Sequence, residues 1–411
     1  MSSPSTRSGF ETPGRRAHPH GISTGLDANG LVWVVPEVTA ELLSKVSDVS
    51  ADQWDALNPR GNPFVAHAFL SALEESGSVG PGTGWSPSPI VIRDAGGTPA
   101  AALPAYLKSH SQGEYVFDHH WADAFERAGG HYYPKLQIAA PFSPVPGPRL
   151  LVRDPALAPA LLGAVEAILN RNGLSSAHAT FVEEAELDQF RAAGWVTRIG
   201  TQFHWQNRGY ADFDGFLAAL SSRKRKAIRK ERAAAQSAVL IKQIAGADIT
   251  PDMWDAFWIF YQDTGARKWG QPYLTRAFFD IIGESMKDSI VLFLAYGDNR
   301  PIAGALNFVS PDCLYGRYWG CNRDVPFLHF ELCYYQAIDY AIAHGLPRVE
   351  AGAQGEHKLA RGYEAVPTYS AHYIANPGFR DAVADFLDRE TQAMEREIEF
   401  LGEMAPFKKS G

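Results

Sequence analysis

The chain has 411 residues, 45% of them hydrophobic and 20% charged, which excludes wholesale disorder and leaves room for two or three domains. Thirty-eight Lys and Arg against 46 Asp and Glu give a formal net charge of −8, which argues against a protein that coats nucleic acid and against a DNA partner. Three cysteines (Cys313, Cys321, Cys333) exclude a disulfide scaffold and form no close pair of the zinc-knuckle kind. No apolar run approaches the roughly 20 residues that span a bilayer. Residues 1–30 also lack the apolar core of a signal peptide. The expectation is a soluble, reduced, cytoplasmic protein whose oligomeric state stays open.

Residues 1–30, rich in Ser, Pro, Gly and Thr, are expected to form a tail, because they cannot bury enough apolar surface to offset their ordering entropy. A strand-like run follows at Leu31-Val32-Trp33-Val34-Val35. From there the sequence repeats itself. Trp54-Asp55-Ala56 returns as Trp254-Asp255-Ala256, and Asn62-Pro63-Phe64 as Gln271-Pro272-Tyr273. Ala68-Phe69-Leu70 returns as Ala277-Phe278-Phe279. Residues 90–103 parallel residues 291–306, each pairing two apolar runs across Gly, Asn or Asp, the signature of a β-hairpin. Each copy then offers an apolar helix ending at a glycine, residues 160–172 before Gly173 and 328–344 before Gly345. Matches in the same order predict two copies of one domain of about 150 residues. Strands mixed with helices predict an α/β fold, each copy a mixed sheet flanked by helices. The expected boundaries are a tail to 30, a first domain over 31–210, a basic helical connector over 211–250, a second domain over 251–400 and a tail over 401–411.

In the first copy, Asp118, Trp121, Tyr132, Tyr133 and Lys135 read as a patch lining a ligand. The proline loop 141–148 would wall it, since each proline fixes φ and removes a donor; a purely structural loop is the alternative. His119, His120 and His131 lack the HxH or HExxH spacing of a metal site. Residues 221–232 hold seven basic side chains and one acidic, without Gly or Pro, and predict a helix. Its Arg223, Lys224 and Arg225 either hold an anion or form a solvated face.

In the second copy, Leu328, Leu332, Tyr335, Ile338 and Ile342 mark the buried stripe of a helix, and Glu331 falls inside it. A carboxylate there is desolvated, with its pKa raised unless paired, which suits a general base for an amine. The alternative is a buried ion pair with an arginine such as Arg317. His329 and Gln336 share another face of the same helix. Residues 352–363 place Gln354, Glu356, His357, Lys358, Arg361 and Tyr363 among three glycines, directly after a strand-like Arg348-Val349-Glu350-Ala351. Strand ends are where open sheets present ligands, and an exposed polar loop is the alternative. Read for catalysis, Glu331 accepts the proton, His357 is the reserve base, and Lys358 faces an oxyanion or a donor phosphate. Arg317, His329, Gln354, Glu356, Arg361 and Tyr363 are then candidates for binding substrate or donor.

Several of these runs resemble the bacterial FemAB-like family of N-acyltransferases and peptidoglycan-biosynthesis proteins: Tyr132-Tyr133-Pro134-Lys135-Leu136, Pro141-Phe142-Ser143-Pro144, His329-Phe330-Glu331-Leu332-Cys333-Tyr334-Tyr335-Gln336 and Gly355-Glu356-His357-Lys358. The resemblance runs over roughly residues 45–400. It implies two tandem GCN5-related N-acyltransferase-like domains. It also implies transfer of an acyl or aminoacyl group to an amine on a small molecule or a cell-wall precursor. The donor would be a co-substrate, aminoacyl-tRNA or acyl-CoA, with no bound cofactor, and tRNA would be a partner. Lys358 matches the lysine after a glycine turn in Fem-type transferases. The acyl-CoA loop of ordinary acetyltransferases is missing, because Cys321-Asn322-Arg323-Asp324-Val325-Pro326-Phe327 has no glycine to let amides cradle a pyrophosphate. That departure leans towards aminoacyl-tRNA. The competing reading is a non-catalytic module that recognises a cell-wall or nucleotide-linked ligand. Convergence of Glu331 with the 356–358 side chains on one cleft separates the two.

Overall fold

The computed structural model describes residues 39–269, 272–352 and 355–408. The expected N-terminal tail and the strand at 31–35 lie outside the described residues, as do Gln354 and the Glu356 side chain. The first half opens with β1 (Ala40–Leu42), α1 (Ala51–Asp55) and α2 (His67–Glu75). Four strands follow, β2 (Trp85–Pro87), β3 (Ile90–Arg93), β4 (Pro99–Leu103) and β5 (Ala105–Lys108). It continues through α3 (His119–Arg127), β6 (Lys135–Ile138), β7 (Leu151–Val152) and α4 (Ala158–Asn172). It closes with β8 (Ser176–Val182), α5 (Leu187–Ala192) and β9 (Val196–Gln206). Next come α6 (Phe213–Ala219) and α7 (Ser222–Ala238), the latter covering the basic run.

The second half repeats the order with β10 (Leu240–Ala245), α8 (Pro251–Trp269), α9 (Arg276–Ser285), β11 (Ile290–Gly297), β12 (Arg300–Ser310) and β13 (Cys313–Cys321). After these stand α10 (Leu328–Phe330), a π-helical turn (Glu331–Tyr335), α11 (Gln336–Ala343) and β14 (Arg348–Glu350). A 3₁₀ turn (Glu356–Arg361), β15 (Glu364–Ile374) and α12 (Pro377–Glu403) end it.

Local chemistry explains the repeat. Asp298 and Asn299 both take positive φ between β11 and β12, the geometry a two-residue hairpin turn needs. In the matching β3–β4 turn, the Asp94 carboxylate accepts from the amides of Gly96 and Thr98. Gly173 and Gly345 sit at φ 63° and 66°, ending their helices in the left-handed region as the sequence predicts. Leu328, Leu332, Tyr335 and Ile338 are all buried, as their spacing requires.

The two sheets that the sequence suggests are fused into one. Eleven strands run in the order β10-β11-β12-β13-β14-β9-β15-β8-β6-β5-β2. In each half a parallel pair forms first, β13 with β14 and β6 with β8. The last strand of each half then leaves for the other. β9 pairs antiparallel with β14, β15 pairs antiparallel with β8, and the two exchanged strands pair with each other from Glu364↔His204 to His372↔Val196. The β9–β15 pair thus stands at the centre of the exchange, with β14 and β13 on one side and β8 and β6 on the other. In the first half Pro104 breaks the ladder, so β4 joins a separate four-stranded sheet with β1, β3 and β7.

Both halves also share a core. Phe64 and Phe69 pack edge-on or tilted against Phe278, Phe308 and Tyr315, with ring centroids 5.0–5.8 Å apart. The expected tail over 401–411 is corrected: α12 runs to Glu403, Leu401 is buried, and Phe407 pairs by backbone with Leu220. Apolar side chains at 401 and 407 hold it down. Among the described residues no helix is long and apolar enough to cross a membrane.

Candidate functional site

In the second half β13 and β14 stay paired only from Cys313↔Arg348 to Tyr315↔Glu350. Residues 316–321 of β13 run on with no strand on that side among the described residues, and the ladder to β12 shifts register there, with a bulge between Leu306 and Asn307. Bulges re-aim side chains next to functional sites. Facing this edge are the π-helical turn and the glycine-rich turn after β14. His329 packs on Trp319 of β13 at 5.2 Å and on Tyr334 at 5.5 Å. His357 Nε2 is 2.8 Å from the Tyr334 hydroxyl. Gly355 is required beneath it, because its φ is 115° and a Cβ there would stand 2.4 Å from His357 Cε1.

Lys358 is buried and donates from Nζ to the Gly352 carbonyl at 2.6 Å, bracing the turn from inside. Arg361 donates to both Glu231 oxygens at 3.0 Å and to the His357 carbonyl at 2.8 Å, with its guanidinium 3.4 Å from the Phe330 ring centre. Tyr363 is fully buried against Tyr334, and its hydroxyl has no partner among the described residues. His329, Tyr334, His357, Lys358, Arg361 and Tyr363 therefore belong to one constellation.

Glu331 does not face it. Its side chain is fully buried and turned to α7, where Arg232 donates from Nε and Nη2 at 3.2 Å. Gln236 and Gln336 donate to it at 2.9 and 2.7 Å. Its lone pairs are occupied, so the expected free base is corrected to an ion-paired carboxylate, and the partner is Arg232 rather than Arg317. Arg317 lies on the bulged strand, donates to the Phe142 carbonyl at 2.9 Å and stands over Phe64 and Tyr318.

The α7 helix turns Ile228, Glu231, Arg232 and Ala235 inward, one stripe at helical spacing. Its first turn presents Arg223 exposed and Lys224 and Arg225 half-buried, none with an ion-pair partner among the described residues.

The first-half patch is gathered but closed. Lys135 Nζ donates to Asp118 at 2.5 Å, to Glu114 at 2.8 Å and to Ser111 at 2.8 Å, and the Tyr132 hydroxyl donates to Asp118 at 2.7 Å. Asp118, Trp121, Tyr132 and Lys135 are buried and Tyr133 is half-exposed, so the residues expected to line a ligand lie in a buried charge network, where Asp118 Oδ1 and Glu114 Oε1 have no hydrogen-bond partner among the described residues. Burial alone would raise the Asp118 pKa, but Lys135 and His178 overcome it and hold the carboxyl well below its usual range. Burial pushes Glu114 up to about 7 and Lys108 down to about 7, and pushes His178 down to about 3. The His178 and His372 Nδ1 atoms meet at 2.8 Å, one from each half.

The proline loop plugs the first-half counterpart of the β13 gap. Past the short β6–β8 pairing, Gly147 donates its amide to the Phe181 carbonyl at 3.0 Å. The buried Arg149 side chain donates to the Thr180 and Val145 carbonyls at 2.9 and 2.8 Å. Among the described residues no such plug covers the second-half edge. Residues Pro146 and Pro148 instead border a cavity of about 340 Å³, together with His204, Arg348 and Glu350. Tyr334, Glu231 and this cavity escaped the sequence reading, because elements far apart in the chain assemble them and no spacing records that.

The fused tandem sheet is an α/β fold of two tandem GCN5-related N-acyltransferase-like halves. FemX, 14% identical, superposes with a TM-score of 0.53 over 82% of this chain and 98% of its own, and shows the same fold. A tandem GNAT protein of the clavulanic acid biosynthesis pathway (14% identity, 83% and 99% coverage) gives a TM-score of 0.46. L-PGS from Bacillus licheniformis (9% identity, 78% and 96% coverage) gives 0.47. No curated protein matches the sequence. Residues 45–409 match the FemAB-like family model, described as peptidoglycan biosynthesis/recognition, and the chain belongs to that family.

Proposed function

We propose that the protein forms an amide between an acyl or aminoacyl group, carried by an activated donor, and an amine of a cell-wall precursor, with the chemistry in the second half. The observation that carries this reading is the exposed His357, hydrogen-bonded to Tyr334, on a turn beside the unpaired edge of β13. A strand edge suits a peptide-like acyl chain, because its amides and carbonyls continue the ladder. The amine attacks the donor carbonyl, the new N–C bond forms, and the ester or thioester bond breaks. His357 takes the proton that the nitrogen sheds and returns it to the leaving group. Tyr334 holds the imidazole through the hydrogen bond between its hydroxyl and Nε2, while Lys358 and Arg361 set the turn from below. They act as positioning residues.

Aminoacyl-tRNA is the favoured donor. The segment before α10 carries no glycine, and Phe327, rather than a glycine, occupies the left-handed region there at φ 65°. The unpaired cations of the first α7 turn supply a place for backbone phosphates. Such a donor puts the reaction in the cytoplasm. The test is to incubate the protein with aminoacyl-tRNA or acyl-CoA and a nucleotide-linked muropeptide and to weigh the acceptor by mass spectrometry. A gain of one acyl residue supports the reading; an unchanged acceptor with every donor class rejects it.

A further inference from the structure

The 340 Å³ cavity lies on the seam of strand exchange, apart from His357. The exchanged strands β9 and β15 contribute His204 and residues 366–369, and β14 contributes Arg348 and Glu350. Its charged side chains are the acids Glu183, Glu184, Asp312 and Glu350 against the bases Arg60 and Arg348, four against two, a formal −2. Burial pushes the His204 pKa down, so its ring adds no compensating charge. The bases are already engaged: Arg60 with Glu183, and Arg348 with Asp312 at 3.0 Å and with Glu350 Oε1 at 3.1 Å.

One atom is left over. Glu350 is 3% exposed, yet its Oε2 has no hydrogen-bond partner among the described residues. A buried carboxylate oxygen without a donor is costly, whereas a charge-assisted bond to an ammonium is among the stronger ones available. The position matters as well. Glu350 is the last residue of β14, and its pair Tyr315 is the last residue of β13 before the unpaired edge. A cation held by Glu350 therefore stands where the β13–β14 pairing ends, in a cavity lined by residues of both halves. The volume suits the end of a side chain rather than a whole precursor.

We propose that this cavity binds a primary alkylammonium group, with Glu350 Oε2 as its counter-ion. Identifying that group as a second, non-reacting amine of the acceptor, separate from the one His357 deprotonates, rests on the transfer reading above. The binding itself does not.

The test titrates the full chain with millimolar Nα-acetyl-lysine amide and, as the same chain without the charge, Nα-acetyl-norleucine amide. The lysine probe is expected to bind and raise the melting temperature, and the norleucine probe is not. Glu350→Gln should weaken the lysine probe at least tenfold. Val366→Trp, which fills the cavity and removes none of the ion-paired side chains, should do the same and decides the matter if Glu350→Gln fails to fold. Equal binding of both probes, no binding of the lysine probe, or wild-type affinity in a folded variant overturns the proposal. Because no donor is present, the two readings fail separately. A protein that acylates amines but ignores the lysine probe loses only the cavity site, and one that binds the probe at Glu350 but transfers nothing loses only the transferase reading.

Discussion

Arg232 and Glu331, 99 residues apart in sequence, meet with Nε and Nη2 of the guanidinium 3.2 Å from the two carboxylate oxygens. The pair ties the basic helix to the π-helical turn that carries Tyr334. It also removes Glu331 from the pool of free bases, because a carboxylate that accepts from one guanidinium and two amides has no accessible lone pair for a substrate.

The first prediction follows from that pair. Arg232→Met leaves Glu331 buried without its cation and should cost about 3–5 kcal/mol in denaturant unfolding. Glu331→Gln keeps the amide partners and should cost less. Its transfer rate should fall less than the two to four orders of magnitude expected for loss of a general base. A loss of that size in a fully stable Glu331→Gln protein would return Glu331 to the chemistry.

A second prediction concerns the closed first-half network. Lys135 lies between Asp118 and Glu114 with no solvent exposure, so Lys135→Met strands two carboxylates and should cost about 3–5 kcal/mol. The Asp118 pKa is depressed in the folded protein, so its stabilisation is complete above the ordinary carboxylate range and drains away as pH falls through the folded value. Asp118→Asn should therefore lower the melting temperature at pH 7 and flatten its acid-side fall. A melting curve unchanged at pH 7 contradicts this account.

Anion binding by α7 gives a third. Replacing Arg223, Lys224 and Arg225 by Ala should weaken aminoacyl-tRNA binding and reduce its log–log salt slope by about 2. The inward residues Glu231 and Arg232 are untouched, so the melting temperature should stay put. An unchanged salt slope assigns that turn to a solvated face.

The elements and their duplication were legible because they rest on local chemistry. Turn residues at Asp298-Asn299, left-handed glycines at 173 and 345 and the 328–338 stripe each announce themselves within a few residues. Strand exchange left no such trace. Nothing in β9 or β15 states which half it will pair with, since either neighbour satisfies the same backbone groups. The site divides along the same line. His357, Lys358 and Arg361 share one turn and were singled out together, whereas Tyr334 lies on another element and was not singled out. Glu331 illustrates the limit most clearly. Its burial was readable from helical spacing, but its partner came from a helix that spacing alone assigned to solvent or to an anion. The patch at Asp118 and Lys135 likewise proved to be a buried charge network rather than a row of side chains along an open cleft.

The most direct measurement is single-turnover transfer by His357→Gln, with its melting temperature and pH dependence, beside Tyr334→Phe. The account predicts a rate lower by about two to four orders of magnitude for His357→Gln, a smaller loss for Tyr334→Phe, and melting temperatures near wild type, because His357 is exposed. Wild-type turnover by a folded His357→Gln protein would contradict it and move the chemistry away from the second-half turn.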